Sequence, residues 1–315
     1  MTIDEQQETQ AEAPTPEAPA PAPEKGKVIR SFFSHHKTAS TWGRMIVSEA
    51  CSALRWKVRP IMAPPHWEGY PTPGAMVRDV QPDMLVVTDP TDERKAGLPP
   101  TLGFHLIRDP RDIVVSSYFS HMNSHPTKFW NLEWPELVPH REALRAMDHD
   151  AGLLKEMDFS GWMIDTMATW DYDQPGMLEV KMEELTADPV AGWTRIFEHM
   201  DMLEKPGDRD FAAGTRLTWN LSVRLEKPKT VSWVREKLHL PKVPLSRLPR
   251  GYVEQTLSRH SFENLAGGRK VGEVDENSHY RRGVAGDWRN HLNDKHLAYF
   301  KKRFGDLVEK LGYQW

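Results

Sequence analysis

The stretch Phe32 to Met45, "FFSHHKTASTWGRM", runs apolar residues into a lysine, then small and hydroxylated residues, then a tryptophan. A strand that ends in a tight turn and opens a helix leaves the first helical N–H groups unpaired. Those amides and the helix dipole both attract negative charge. Lys37, Thr38, Ala39, Ser40 and Thr41 add an ammonium group and hydroxyls at the same point. Such a cluster serves the binding of a phosphate or a sulfate. It is not the glycine-rich GxxxxGK[ST] loop, so nucleoside triphosphate binding by that route is not indicated. On this stretch alone, a helix start with a surface lysine remains the alternative.

Other residues with chemical potential recur at similar junctions. In "RDPRDIVVSSYFSH", Arg108 leaves an apolar run, Asp109 suits a helix N-cap, Pro110 suits the first helical position, and Asp112 falls at the third. Ser116 follows Arg108 by eight residues, two turns into the helix and placed to face back toward the strand end. "RRGVAGDW" groups Arg281, Arg282 and Gly283 ahead of Gly286, Asp287 and Trp288, a second clustered anion binder, and Phe262 sits upstream in "SFENL". Each alone has a structural alternative: an ion pair for Arg108, a solvated face for the arginine pair, the core for Phe262. His121 and His125 stand one helical turn apart, a spacing that fits zinc. With no carboxylate or cysteine motif beside them in sequence, a polar helix face is the commoner fate.

These residues need a frame that brings strand ends together. "VIRSFFS", "DMLVVTD", Phe104 to Ile107 and "MLEVKM" read as buried strands. "STWGRMIVSEACSAL", the segment after Asp109, "DPVAGWTRIFEHM" and the C-terminal face of Leu297, Phe300, Phe304, Leu307, Val308 and Leu311, ended by Gly312, read as helices. The alternation predicts a three-layer α/β/α domain of P-loop type around a central parallel sheet, spanning residues 28–315. Arg59 to Gly74 reads as a proline-rich loop. Pro126 to Gly161 reads as mostly irregular, a lid or binding loop with a modest helix after Arg141. The first 27 residues, acidic and rich in Pro and Ala, read as a disordered tail without a signal or anchor.

The 315 residues can bury a real core without metals or disulfides. A formal net charge of -4 gives no basic field for nucleic acid, and no apolar run is long enough to span a bilayer. The single cysteine, Cys51, excludes an intrachain disulfide and fits a reducing compartment, so a cytoplasmic protein is expected. Oligomeric state is not legible.

Taken in order, the junctions resemble the sulfotransferase family that uses 3′-phosphoadenosine 5′-phosphosulfate (PAPS), over nearly the whole chain from about Val28. "HKTASTW" is similar to that family's 5′-phosphosulfate loop, commonly PKSGTTW. "RDPRDIVVSSYFSH" is similar to its 3′-phosphate motif, and "SFENLAGGR" with "RRGVAGDW" to its SFxxM…RKGxxGDW signature. The resemblance implies that Lys37 meets the bridging oxygen of the phosphosulfate and that Thr38, Ala39, Ser40 and Thr41 form the 5′-phosphate cradle. It implies that Trp42 and Phe262 pack on adenine, and that Arg108 and Ser116 hold the 3′-phosphate with Arg281, Arg282 and Gly283. It implies no metal for the transfer, because a sulfuryl group carries less charge than a phosphoryl.

The chain departs from the family pattern in places. Ala39 replaces a glycine, Met182 a tyrosine and His260 a threonine; where the cytosolic branch keeps a catalytic histidine after a threonine, this chain reads Thr88-Asp89. Asp89 therefore stands where the resemblance puts the base, with a turn cap before Pro90 as its other reading and His66 as a rival base. Three readings follow: a sulfotransferase acting on a hydroxyl acceptor, a catalytically silent PAPS-binding protein, and, less favoured, a P-loop kinase. Phe129, Trp130, Trp134 and Trp162 are candidates for lining the acceptor pocket, and the acceptor class is open.

Overall fold

In β1 (Arg30–Ser34), Phe32 and Phe33 are both buried but face opposite ways. Phe32 stacks on Phe104, with ring centroids 4.5 Å apart, and Phe33 leans on Trp170 at 4.9 Å. A strand apolar on both faces belongs in the middle of a covered parallel sheet. The computed structural model, which describes residues 27–129, 132–205 and 245–315, puts it there.

After β1 come α1 (Ser40–Leu54), the edge strand β2 (Val58–Ile61), α2 (Pro73–Val80), β3 (Met84–Thr88), the short α3 (Asp92–Lys95), β4 (Leu102–Ile107) and α4 (Pro110–Phe119). A π-helical turn, Ser120–Ser124, leads to the small antiparallel pair β5 (Lys128–Phe129) and β6 (Leu132–Glu133). Then follow α5 (Leu137–Ala146), α6 (His149–Phe159), α7 (Gly161–Ala168), β7 (Met177–Lys181), α8 (Met182–Ala187) and α9 (Pro189–His199). The last described elements are α10 (Tyr252–Arg259), α11 (Phe262–Leu265), α12 (Asp294–Phe304) and α13 (Leu307–Lys310).

The main sheet has the order β2-β3-β1-β4-β7, with every pair parallel. Helices α1, α9 and α10 cover one face around Phe32, Phe104, Trp193 and Tyr252. On the other, α2 packs on Phe33, Leu85 and Val87, and α4, α6, α7, α12 and α13 form the adjoining core around Ile107, Val114, Met157 and Phe300. Three adjacent strands, β3, β1 and β4, thus end together, with Ser34 in register with Thr88 on one side and Leu106 on the other. In open α/β sheets the crevice beyond such strand ends is where ligands bind.

Four sequence expectations are corrected. The stretch from Arg59 to Gly74 holds the rest of β2, a short 3-10 turn (Pro64–Trp67) and the start of α2; Pro60 had argued against a strand, but β2 is an edge strand, where proline is tolerated. Leu137–Ala146 and His149–Phe159 are helices. On α5 only Leu137, His140 and Leu144 are buried, and α6 buries the carboxylate of Glu156 among its apolar positions, so the apolar period is sparse. The segment after Lys181, read only as a strand end, forms α8. The C-terminal helix is two helices, broken at Gly305, which has φ of 63°. The disorder expected for the tail through Gly26, and Trp130, lie outside the described residues.

Candidate active site

Asp89, Lys37 and Arg108 follow the carboxyl ends of β3, β1 and β4, three neighbouring strands. Between β1 and α1 the loop turns sharply: Lys37 has φ of 64° and Ala39 of 56°. Left-handed backbone costs a residue with a Cβ roughly 1–2 kcal/mol, so both positions hold local strain. Inside the loop Thr38 is fully buried. Its hydroxyl donates to the His35 carbonyl (2.8 Å) and accepts from the His35 amide (3.0 Å), which makes it a brace of the loop, turned away from the cradle.

Helix α1 opens without a side-chain cap and with no acidic residue in its first turn, whereas Thr72, Asp109, Asp148 and Asp188 cap α2, α4, α6 and α9. The amides of Ser40 and Thr41 therefore face the crevice with the helix dipole uncompensated. The Lys37 ammonium makes no hydrogen bond among the described residues. Burial, then the charge of Arg108, pulls it from 10.5 to about 7; the charge of Glu156 opposes this and that of Arg281 adds to it. Arg108 donates from Nη1 to the Lys37 carbonyl (3.0 Å), has Nη2 3.8 Å from Asp112, and leaves Nε buried without a partner. Uncapped amides, mutually repelling cations and an orphaned guanidinium nitrogen fit a phosphate- or sulfate-bearing ligand.

The C-terminal motif is tied to this region through Asp112. Its carboxylate accepts from the amides of Gly286 (2.7 Å) and Trp288 (2.8 Å). The Arg281 guanidinium lies 4.5 Å over the Phe119 ring at the end of α4, and both Arg281 and Arg282 donate to Asp287; burial would raise that carboxyl, but bonds from His291, Asn290 and Arg281 hold it far below the ordinary range. Gly283, at φ of 70°, sits so close to Phe262 that a Cβ there would come within 2.5 Å of the ring. Ser116 is half-buried on α4. On the opposite side the Trp42 indole donates to the His260 carbonyl (2.9 Å) and meets Trp193 edge-on. The His260 ring bonds Glu49 (2.9 Å). Burial would raise Glu49, but His260 and Arg259 hold it at about 2. Met182 packs against the core beside these residues.

Asp89 is buried, with φ of 48°, and its Oδ1 accepts from the His36 amide (2.6 Å) while Oδ2 lies 3.7 Å from Arg94. Burial pushes its carboxyl up to about 6, although Arg94 and the amide favour the anion. His66 stands on the turn after β2; burial lowers it, its bond to the Ala63 carbonyl opposes this, and Arg94 lowers it again. Trp162 is exposed, 5.8 Å from the Arg94 guanidinium. Trp134 is half-buried, its ring edge-on to His36, His121 and His125.

Sequence reasoning missed three residues here. His36 precedes Lys37 and stacks on His121, with centroids 5.2 Å apart. Glu156 comes from α6 to accept from His121 (2.9 Å) and His140 (2.8 Å). His279 is close enough to Lys37 for that charge to reinforce the burial that lowers it to about 4. The pair "HH" before Lys37 was a visible signal; Glu156 and His279 had none, since only the tertiary fold brings them in.

No protein-family profile matches the chain, and no curated protein does. Among solved structures it is similar to a mouse sulfotransferase complexed with PAP, at 14% identity and a TM-score of 0.49, covering 90% of this chain and 84% of that one. The chain is similar to sulfotransferases. A retinol dehydratase in complex with androsterone and inactive cofactor PAP aligns at 14% identity and a TM-score of 0.43, over 91% and 82%. A sulfotransferase domain from the curacin biosynthetic pathway aligns at 11% identity and 0.31, over 74% and 97%. These are likenesses of outline, and the α/β fold stands on the strand order and register of the chain itself. No described helix is long and apolar enough to cross a membrane.

Proposed function

We propose that this protein is a PAPS-dependent sulfotransferase acting on a hydroxyl acceptor. The observation that carries the reading is the convergence of Lys37, Asp89 and Arg108 on the uncapped N-terminus of α1 at three adjacent strand ends. That these three residues come from separate motifs and follow neighbouring strand ends supports the reading.

PAPS, when bound, supplies an activated sulfuryl group whose S–O bond to phosphate breaks as a bond to the acceptor oxygen forms. The chain's part is to hold and neutralise. The amides of Ser40 and Thr41 and the ammonium of Lys37 receive the 5′ end, with Ala39 shaping the turn and Thr38 bracing it. Arg108 and Ser116, with Arg281, Arg282 and Gly283, receive the 3′-phosphate. Trp42 and Phe262 flank the base. Asp89 takes the acceptor's proton, and a carboxyl raised to about 6 is suited to that work near neutral pH. Fixed donors aimed at developing charge in a crevice shielded from water are the strongest device available to such a site.

The test is a calorimetric titration of adenosine 3′,5′-bisphosphate (PAP) into wild type and Arg108→Ala, followed by turnover of labelled donor over a panel of hydroxyl acceptors. Wild type should bind, and the variant should bind about 10- to 100-fold more weakly, the worth of a charge-assisted contact. Asp89→Asn keeps an oxygen for the His36 amide, so it should leave PAP binding intact while turnover drops about 100-fold or more. No PAP binding by the wild type sinks the reading. Binding without turnover on any acceptor leaves a silent nucleotide-binding protein.

A further inference from the structure

Beside the Lys37 loop, three imidazoles from two separate elements face one another. His36 comes from the loop after β1; His121 lies in the π-helical turn and His125 closes it. One ring nitrogen of each lies within 4.8 Å of the other two, and the Nε2 atoms of His36 and His121 are 3.2 Å apart, a hydrogen bond that an ion between the rings would replace. Two nitrogens on a tetrahedral zinc, each at about 2.0–2.1 Å, stand roughly 3.3 Å from each other.

The outer hydrogen bonds decide which nitrogens can ligate. The buried Glu156 meets the Nδ1 of His121 at 2.9 Å through Oε1, which also takes the Ser160 hydroxyl, while Oε2 takes His140; carboxylate oxygens that accept these bonds put the proton of His121 on Nδ1. His125 donates from Nδ1 to the Pro126 carbonyl (2.8 Å) and its Nε2 has no partner among the described residues. Both rings therefore turn an Nε2 lone pair inward. A carboxylate behind one histidine and a carbonyl behind another is the outer arrangement that fixes metal-binding imidazoles.

The scaffold is braced to hold them. The Arg141 guanidinium donates to the backbone carbonyls of both His121 (2.7 Å) and His125, and Arg145 donates to that of Met122 (3.1 Å), so the carbonyls a π-turn leaves free are tied down. His36 is fixed by its amide on Asp89, and Trp134 walls the group. The neighbouring set of His121, His140 and Glu156 is also compact, but all three of its side chains are buried, whereas His36 and His125 are half-buried.

We propose that His36, His121 and His125 form a three-histidine site for a divalent transition cation of the zinc class, with a fourth position open. Glu156 is a positioning residue acting through His121. An open position on such an ion takes water or a hydroxyl and lowers its pKa. Resting on the sulfotransfer reading, that position beside Lys37 receives the acceptor oxygen and eases its ionisation.

The experiment uses untagged, chelator-stripped full-length protein titrated with ZnCl2 by calorimetry, with CoCl2 absorption to read the coordination. One zinc per chain should bind, and cobalt should give the intense visible bands of a four-coordinate nitrogen site. His125→Ala, at a half-buried position, should weaken zinc binding by about 100-fold with an unchanged melting profile, and Glu156→Gln by about 10- to 100-fold. No binding by the wild type overturns the site, as does binding that His125→Ala leaves unchanged. PAP titrated into the same stripped protein separates the two proposals: zinc binding without PAP binding sinks the nucleotide reading alone, and PAP binding without zinc sinks the metal site alone.

Discussion

Lys37 carries the sharpest electrostatic statement at the scale of a single residue. Its ammonium sits at about 7 because burial and Arg108 disfavour the charge, and nothing anionic among the described residues bonds it. A bound phosphate or sulfate removes that penalty and returns the group toward its ordinary value. Nucleotide binding should therefore take up a proton from solution, about 0.9 per site at pH 8, where the free protein is mostly deprotonated at Lys37 and the phosphates of PAP are already ionised. PAP titrations in buffers of different ionisation enthalpy measure this directly, and Lys37→Met should abolish the uptake at pH 8. No uptake by the wild type at pH 8 would show that the anion binds away from Lys37. Positive φ at Lys37 and Ala39 belongs to the same scale. The sequence marked the strain at Ala39 because a glycine was expected there, but nothing marked Lys37.

Among the elements, β1, β4, α7 and β7 share a buried polar chain beneath the loop. Thr166 donates to the Met163 carbonyl (2.6 Å), so it accepts from His35 Nδ1 (2.8 Å); His35 Nε2 then accepts from His105 Nε2 (2.7 Å). His105 Nδ1 then meets Glu179 at 2.6 Å. The chain closes either with Glu179 protonated or with His105 doubly protonated against the carboxylate; burial, which raises Glu179 to about 7 and drops His105 to about 3, favours the first. A carboxyl whose folded pKa lies above its unfolded value contributes stability that is full below about 4.5 and is lost as pH rises through 7. Glu179→Gln copies the protonated form, giving an N–H to His105 and an oxygen to Trp170, which donates to Glu179 in the wild type (2.9 Å). Relative to wild type, the variant should gain on the order of 1–2 kcal/mol between pH 5 and pH 8.5, and denaturant melts of both proteins across that range check it. Taking the difference cancels the buried histidines, which run the other way. Strands β1, β3, β4 and β7 were legible as largely apolar runs, and helices α4 and α9 by the caps Asp109 and Asp188. The edge strand β2 and helices α5 and α6 were not, because Pro60, His140 and Glu156 break the pattern for reasons that only their neighbours explain. The anion site was legible in its local motifs, whereas the histidine cluster, built from His36, His121, His125 and Glu156, has no local motif to read.

Across the whole molecule, residues more than two hundred positions apart must be held together before the crevice exists, and Asp112 is the joint. Buried on α4, it receives the amides of Gly286 and Trp288 and faces Arg108, so it couples the β4 strand end to the turn that follows Arg281 and Arg282. Neither an ion pair at the surface nor the apolar contact of Trp288 fixes that turn in direction, whereas two charge-assisted bonds to one carboxylate do. Asp112→Asn keeps a single oxygen and presents an N–H to one of the two amides, leaving it buried and unpaired. The expected cost is about 1–3 kcal/mol of stability, read in denaturant melts. PAP affinity should fall by about 10-fold as well, although Asp112 is not placed to touch the nucleotide, because the arginines lose their register against Lys37 and Arg108. A melt shifted by that amount with PAP affinity unchanged would mean that the C-terminal motif finds the crevice without α4, and that its two arginines, already bonded to Asp287, bring their own positioning with them.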